Sequence, residues 1–175
     1  LVFTQYNAGS LNEHLSSSKW WDFGRKQGGL YVFTPTITAD NGFWYRGTAD
    51  AIYRNIDFID NYDPEYVLIL SGDHLYKMDY SKMLKFHKEN NADLTISVME
   101  VPMEEASRFG ILTADENNKI FKFSEKPKEP DSNLASMGIY IFSWPVLKAA
   151  LLEDGEMEDS DHDFGKNIIP MLLGR

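Results

Sequence analysis

Three short segments combine residue types and spacings that could do chemistry. The first is Ser71-Gly72-Asp73-His74, which closes the apolar run Tyr66-Val67-Leu68-Ile69-Leu70. A carboxylate just past a buried strand projects where a sheet opens, and it suits a hard cation such as Mg2+. That ion binds through one or two carboxylates and completes its shell with phosphate oxygens and water. Asp73 fits equally well as a turn residue or a helix cap, both common for Asp after a strand. The second segment is Gly47-Thr48-Ala49-Asp50, at the start of a helical pattern. Glycine lets a backbone approach a flat or anionic group, and a helix N-terminus favours a phosphate. An ordinary helix capped by Thr48 is the other reading. The third segment, Glu125-Lys126-Pro127, follows a strand-like stretch. The Pro127 ring fixes the turn. Lys126 can neutralise a sugar phosphate and Glu125 can accept hydrogen bonds from sugar hydroxyls, although a surface Glu-Lys pair at a turn has the same composition.

The elements around these segments follow from hydrophobic periodicity. Ala49, Ile52, Tyr53, Ile56 and Ile59 recur at helical spacing, which predicts a helix over residues 48–61, ended by Asp63-Pro64. The apolar run over residues 66–70 reads as a strand buried on both faces in a parallel sheet. A helix is expected over residues 80–90 and strands over residues 94–101, 111–114, 120–123 and 136–142, the second and third of these strands forming a hairpin around Asp115-Glu116-Asn117-Asn118. A short helix is expected near residues 104–107, another from Pro145 to Leu152, and a last one over residues 164–173 that Pro170 interrupts. Near the start, residues 1–6 and 30–34 read as strands, and Ser10 as the N-cap of a short helix. Residues 16–29 read as a loop that tucks Trp20, Trp21 and Phe23 against the protein. Helices alternating with buried strands predict an α/β fold with a mixed, mainly parallel sheet and helices on both faces. In such sheets ligands sit beyond the carboxyl ends of the strands, which directs attention to Asp73.

Composition narrows the possible partners. The 175 residues are 43% hydrophobic and 25% charged, enough for one domain with a core. A formal net charge of −10 argues against a broad nucleic-acid surface, which needs clustered cations, but it leaves room for a local phosphate site. The acidic stretch over residues 153–161 reads as a solvated loop. No apolar run approaches membrane-span length and no signal-peptide pattern is present, so no membrane partner is expected. With no cysteine, disulfides and thiolate metal sites are excluded, and a cytoplasmic location fits. Of the histidines, His14 and His87 read as surface or packing residues on helices, and His162 carries no evident chemistry.

The words Trp44-Tyr45-Arg46-Gly47-Thr48-Ala49-Asp50, Ser71-Gly72-Asp73-His74-Leu75-Tyr76-Lys77-Met78-Asp79-Tyr80, Glu125-Lys126-Pro127 and Leu134-Ala135-Ser136-Met137-Gly138-Ile139-Tyr140 closely resemble the catalytic domain of the glucose-1-phosphate adenylyltransferase family. The resemblance runs from Thr4 to Pro170. It implies a Rossmann-like nucleotidyltransferase fold that makes ADP-glucose and pyrophosphate from ATP and α-D-glucose 1-phosphate, for glycogen- or starch-type glucan synthesis. It implies Asp73 as the catalytic Mg2+ ligand, and Gly47 and Thr48 at the nucleotide. It also implies Tyr45, Gly110, Glu125, Lys126 and Ser136 at the glucose 1-phosphate. Trp44 reads as a base-stacking, signal-transmitting or packing residue.

The same resemblance places a glycine-rich phosphate loop before Leu1, and a second metal carboxylate and a β-helix domain after Arg175. Residues 1–175 are therefore expected to be a partial catalytic domain, lacking its N-terminal strand-loop unit and inactive alone. When full-length, the family's members form homo- or heterotetramers. Two alternatives stand beside this reading. One is a sugar-phosphate nucleotidyltransferase using another nucleotide. The other is a non-catalytic regulatory subunit, against which the presence of both Asp73 and Lys126 argues.

Overall fold

In the computed structural model the described residues are 1–16, 29–36 and 44–173. The loop expected over residues 16–29, with Trp20, Trp21 and Phe23, lies almost wholly outside them. The chain divides into two units, Leu1–Gly47 and Thr48–Arg175.

In the first unit, strand β1 (Val2–Phe3) pairs in parallel with β2 (Val32–Phe33), and helix α1 covers Ala8–Ser16. The helix begins two residues before the expected cap at Ser10, because the chain turns at Asn7, whose φ of 50° suits a short amide side chain. Phe3 stacks on Phe33 at 5.8 Å, and Tyr45 meets Phe3 edge-on at 6.4 Å.

In the second unit the helical pattern after Gly47 forms two pieces, α2 (Thr48–Tyr53) and α3 (Ile56–Asp60). Strand β3 (Tyr66–Leu70) is followed by α4 (Tyr80–Glu89), where Asp79 accepts a hydrogen bond from the Ser81 N–H as the cap. Then come β4 (Leu94–Glu100), α5 (Met103–Ala106), the hairpin β5 (Gly110–Ala114) and β6 (Ile120–Glu125), and the long strand β7 (Leu134–Ser143). Helix α6 (Trp144–Gly155), a π-helical turn (Phe164–Ile168) and α7 (Ile169–Leu173) complete the order.

The α/β class expected from the pattern holds, and the sheet's pairing adds a correction. Strand β7 is central and antiparallel to β3, β4 and β5, and β6 is antiparallel to β5. So β3, β4 and β5 run in one direction, while every pair in the larger sheet is antiparallel among the described residues. The apolar runs could not reveal this. A returning strand inserted between β3 and β4 changes the neighbours of each but not its demand for burial.

Alternation along β7 sorts the core onto two faces. Ile139 and Ile141 pack with Met83 and Leu84 of α4. Tyr140 and Phe142 turn the other way, onto Phe164 of the π-helical turn at 5.9 and 5.8 Å. Helices therefore cover both faces of β7, as the pattern predicted. Two expectations fail at finer grain. Leu68 and Leu70 of β3 each remain 41% exposed rather than buried on both faces. Asp154, assigned to a solvated acidic loop, is 2% exposed on the inner side of α6, where it holds Ser160 and His162.

Candidate active site

The site begins with a defect in β7. Between the pairs Ile96↔Tyr140 and Val98↔Ser136, β4 advances two residues while β7 advances four, so β7 bulges at Met137, Gly138 and Ile139. Gly138 has φ +68°, open to glycine at little cost, and a Cβ there would stand 2.6 Å from the Ser71 hydroxyl oxygen. Opposite β4, the same edge of β7 carries β3 from Ile139 to Ser143 and β5 at Leu134 and Ala135. The bulge thus parts β3 from β5. A cavity of about 420 Å³ opens where they separate, past the carboxyl end of β3.

Five of the residues singled out in the sequence line this cavity: Asp73, Gly110, Glu125, Lys126 and Ser136. Asp73 is exposed in the turn after β3. The turn is held by the His74 N–H donating to the Ser71 carbonyl at 3.1 Å, and by the His74 Nε2 and Tyr80 hydroxyl at 2.6 Å. Gly110 and Glu125 face each other in the β5–β6 register, and the next rung is the Lys126 N–H donating to the Phe109 carbonyl at 3.1 Å. Lys126 then enters the left-handed region with φ 47°, an uncommon state for a residue with a Cβ. This turn leaves its ammonium exposed at the cavity mouth, 3.7 Å from the Glu125 carboxylate. Ser136, on the bulge flank, accepts a hydrogen bond from the Gly138 N–H at 3.2 Å.

Thr48 does not line that cavity. Thr48 opens α2, where its hydroxyl donates to Asp163 Oδ2 at 2.9 Å and accepts from the Phe164 N–H at 3.1 Å. The N–H groups of Ala49 and Asp50 are taken by the His162 carbonyl, at 2.9 and 3.3 Å. The first donors of α2 are therefore engaged within the protein. Tyr45 belongs to the first unit, where its N–H donates to the Gln5 side-chain oxygen at 2.7 Å, and its carbonyl accepts from the Gln5 amide at 3.5 Å. Gly47 closes that unit.

Four further cavity residues carry no assigned role from the sequence, His74, Tyr76 and Tyr140 within the quoted motifs and Arg108 outside them. Arg108 directly precedes Phe109-Gly110, and its guanidinium makes no ion pair among the described residues. Burial pushes the Tyr140 phenol up from its usual value, the nearby charges of Glu125 and Asp163 push it the same way, and the Ser136 hydroxyl acts in the opposite sense. Tyr140 therefore stays protonated, with its hydroxyl 3.5 Å from that of Ser136.

The cavity thus presents carboxylates at Asp73 and Glu125, cations at Arg108 and Lys126, and hydroxyls at Ser71, Ser136 and Tyr140. Among the described residues no three carboxylate or imidazole side chains converge on one point. A single exposed carboxylate among hydroxyls still fits a hard divalent cation, provided that phosphate oxygens and water supply the remaining ligands. The arrangement can bind a phosphorylated polyol: the cations meet the phosphate, and the carboxylate and hydroxyls meet the alcohols.

The family model described as nucleotidyl transferase matches residues 1–175. A glucose-1-phosphate adenylyltransferase of Clostridium novyi (strain NT) is 62% identical over 172 residues, which is 98% of this chain and 45% of that protein. The protein of the same name from Acetivibrio thermocellus is 59% identical over 98% of this chain and 40% of its own length. That from Thermosipho africanus is 53% identical over 98% of this chain and 42% of its own length. The chain spans less than half the length of each of these relatives.

Proposed function

The chain belongs to the nucleotidyl transferase family, and from that premise we propose that its protein transfers the adenylyl group of ATP to α-D-glucose 1-phosphate, forming ADP-glucose and pyrophosphate. The observation that carries this reading is the meeting of Asp73, Gly110, Glu125, Lys126 and Ser136 at one cavity, although they come from four separate stretches of the chain.

An oxygen of the sugar phosphate attacks the α-phosphorus of ATP in line, and pyrophosphate leaves on the opposite side. Positioning and charge stabilisation supply the rate enhancement, with no covalent enzyme intermediate. Lys126 holds the attacking phosphate, and Arg108 offers a second cation beside it. Glu125 accepts hydrogen bonds from glucose hydroxyls, Ser136 adds a hydroxyl contact, and Gly110 lets the backbone approach the ring. Tyr45 is assigned to the sugar side on the family resemblance alone. On the nucleotide side, Gly47 lets the backbone come close to the base. Thr48, locked by Asp163 and Phe164, fixes where α2 begins. Mg2+, which Asp73 would hold, supplies electrostatic stabilisation of the charge that builds on the phosphates.

The test is a nucleotide panel on the full-length protein with glucose 1-phosphate, reading pyrophosphate release. Turnover with ATP well above that with dTTP, GTP or UTP is expected. Preference for another nucleotide, or no turnover in any, would overturn the assignment.

A further inference from the structure

The segment Asp161-His162-Asp163-Phe164-Gly165-Lys166 carries charged residues that the reaction does not use, and its glycine stands in an unexpected place. Gly165 is buried in the π-helical turn, with its N–H donating to Asp163 Oδ1 at 2.9 Å. Its backbone does not enter the left-handed region. A glycine there is not required for conformation, and within a helical segment it is the less stable choice beside alanine. What it provides is space. A Cβ on Gly165 would lie 2.7 Å from Glu125 Oε2 and 3.3 Å from Glu125 Cδ. The same carboxylate oxygen would lie 2.9 Å from a Cβ on Gly110. The Glu125 carboxylate therefore rests between two glycines, one from the hairpin and one from the π-helical turn. Neither wall leaves room for a methyl group.

We propose that Gly165 is a positioning residue, whose missing side chain sets where the Glu125 carboxylate stands in the cavity and hence how well the enzyme holds glucose 1-phosphate. The proposal rests on the reading that Glu125 binds the sugar. The two glycines differ in a way that makes one of them testable. A Cβ at Gly110 also meets the Phe123 ring at 2.7 Å, and that ring is part of the core. At Gly165 the nearest atoms are the far end of a flexible side chain, so a methyl group displaces the carboxylate and leaves the backbone in place.

The experiment is steady-state kinetics on the full-length protein with both substrates varied, together with thermal melts, for Gly165→Ala, Glu125→Ala and the double variant. In Gly165→Ala the KM for glucose 1-phosphate should rise about tenfold, the scale expected when a binding group is moved by a fraction of an ångström to an ångström. The KM for ATP and the melting temperature should stay near wild type. In the Glu125→Ala background, Gly165→Ala should add nothing, because the group through which it acts is gone. An unchanged KM for the sugar phosphate in Gly165→Ala overturns the proposal. So do a parallel rise for ATP, a loss of folding, or an effect that persists without Glu125. A wild-type protein that makes no ADP-glucose, or a Glu125→Ala variant with an unaltered sugar KM, instead overturns the functional reading beneath it.

Discussion

The cavity mouth and the buried pocket between α6 and α2 use polar and charged side chains to opposite ends. At the mouth, the Lys126 side chain is 67% exposed and the Glu125 carboxylate lies 3.7 Å away. Asp73 is exposed, and Arg108 has no ion partner among the described residues. In the pocket, the Asp154 and His162 side chains are 3% and 2% exposed and meet at 2.7 Å. Asp154 also accepts from Ser160, and the half-buried Asp163, next to His162 in the chain, accepts from Thr48, Gly165 and Lys166. Charges left in water keep their capacity for a ligand. Polar groups taken out of water must find partners within the protein, and those that do act as scaffold, as the His162 Nδ1 does although its Nε2 has no partner among the described residues. The partnered set also positions the exposed one, since the turn that Asp163 organises contains Gly165, which flanks Glu125.

This contrast predicts that substitutions at the mouth change kinetics and leave stability alone, whereas those in the pocket do the reverse. The largest effect is expected for Asp73→Asn, with kcat lower by about a thousandfold and the KM for glucose 1-phosphate near wild type. A lost metal contact acts mainly on charge that develops in the transition state. Near-normal turnover would remove Asp73 from the reaction. Next is Asp154→Ala, which leaves the buried His162 and the Ser160 donors without their acceptor. Chemical denaturation should report a stability loss of about 3 kcal/mol, from the cost of unsatisfied buried groups. If KM values move and stability does not, the pocket belongs to the site rather than the scaffold. Lys126→Ala should raise the KM for glucose 1-phosphate by roughly thirtyfold, about 2 kcal/mol, and leave that for ATP alone. This is the low end for losing one partner of a charge pair, because the ammonium is largely solvated before the ligand arrives. A rise confined to ATP would move Lys126 to the nucleotide half.

The smallest expected effect concerns His87, buried between α4 and the sheet and bonded to Thr95 at 2.8 Å and Ser143 at 3.2 Å. Burial pushes its pKa below the ordinary 6.5, partly opposed by the charge of Asp93. The unfolded chain then binds the proton at a higher pH than the folded one. The resulting stability is present above pH 6.5 and declines as pH falls from there through the lower folded value. Melts between pH 7 and 5 should show this loss in the wild type and a flatter profile in His87→Gln. Equal slopes would show that His87 does not carry it.

Local chemistry made most elements readable in advance. The strands at residues 66–70 and 94–101, the hairpin around Asp115, the helix after Asp79 and the Pro145 start appear in the structure within a few residues of their expected bounds. Periodicity and turn residues act over a few positions, and no distant partner overrides them there. The words around Asp73, Gly110, Glu125, Lys126 and Ser136 likewise marked positions that meet at one cavity. What the sequence could not state was pairing. Only the tertiary structure places β7 between β3 and β4, bulges it at Gly138 and opens the cavity there, because strand partners are chosen by long-range packing rather than local preference. The same holds for Asp154. An acidic run looks solvated until the fold supplies a histidine and a serine at hydrogen-bonding distance, and it holds for Gly165, whose need for empty space exists only once Glu125 lies against it.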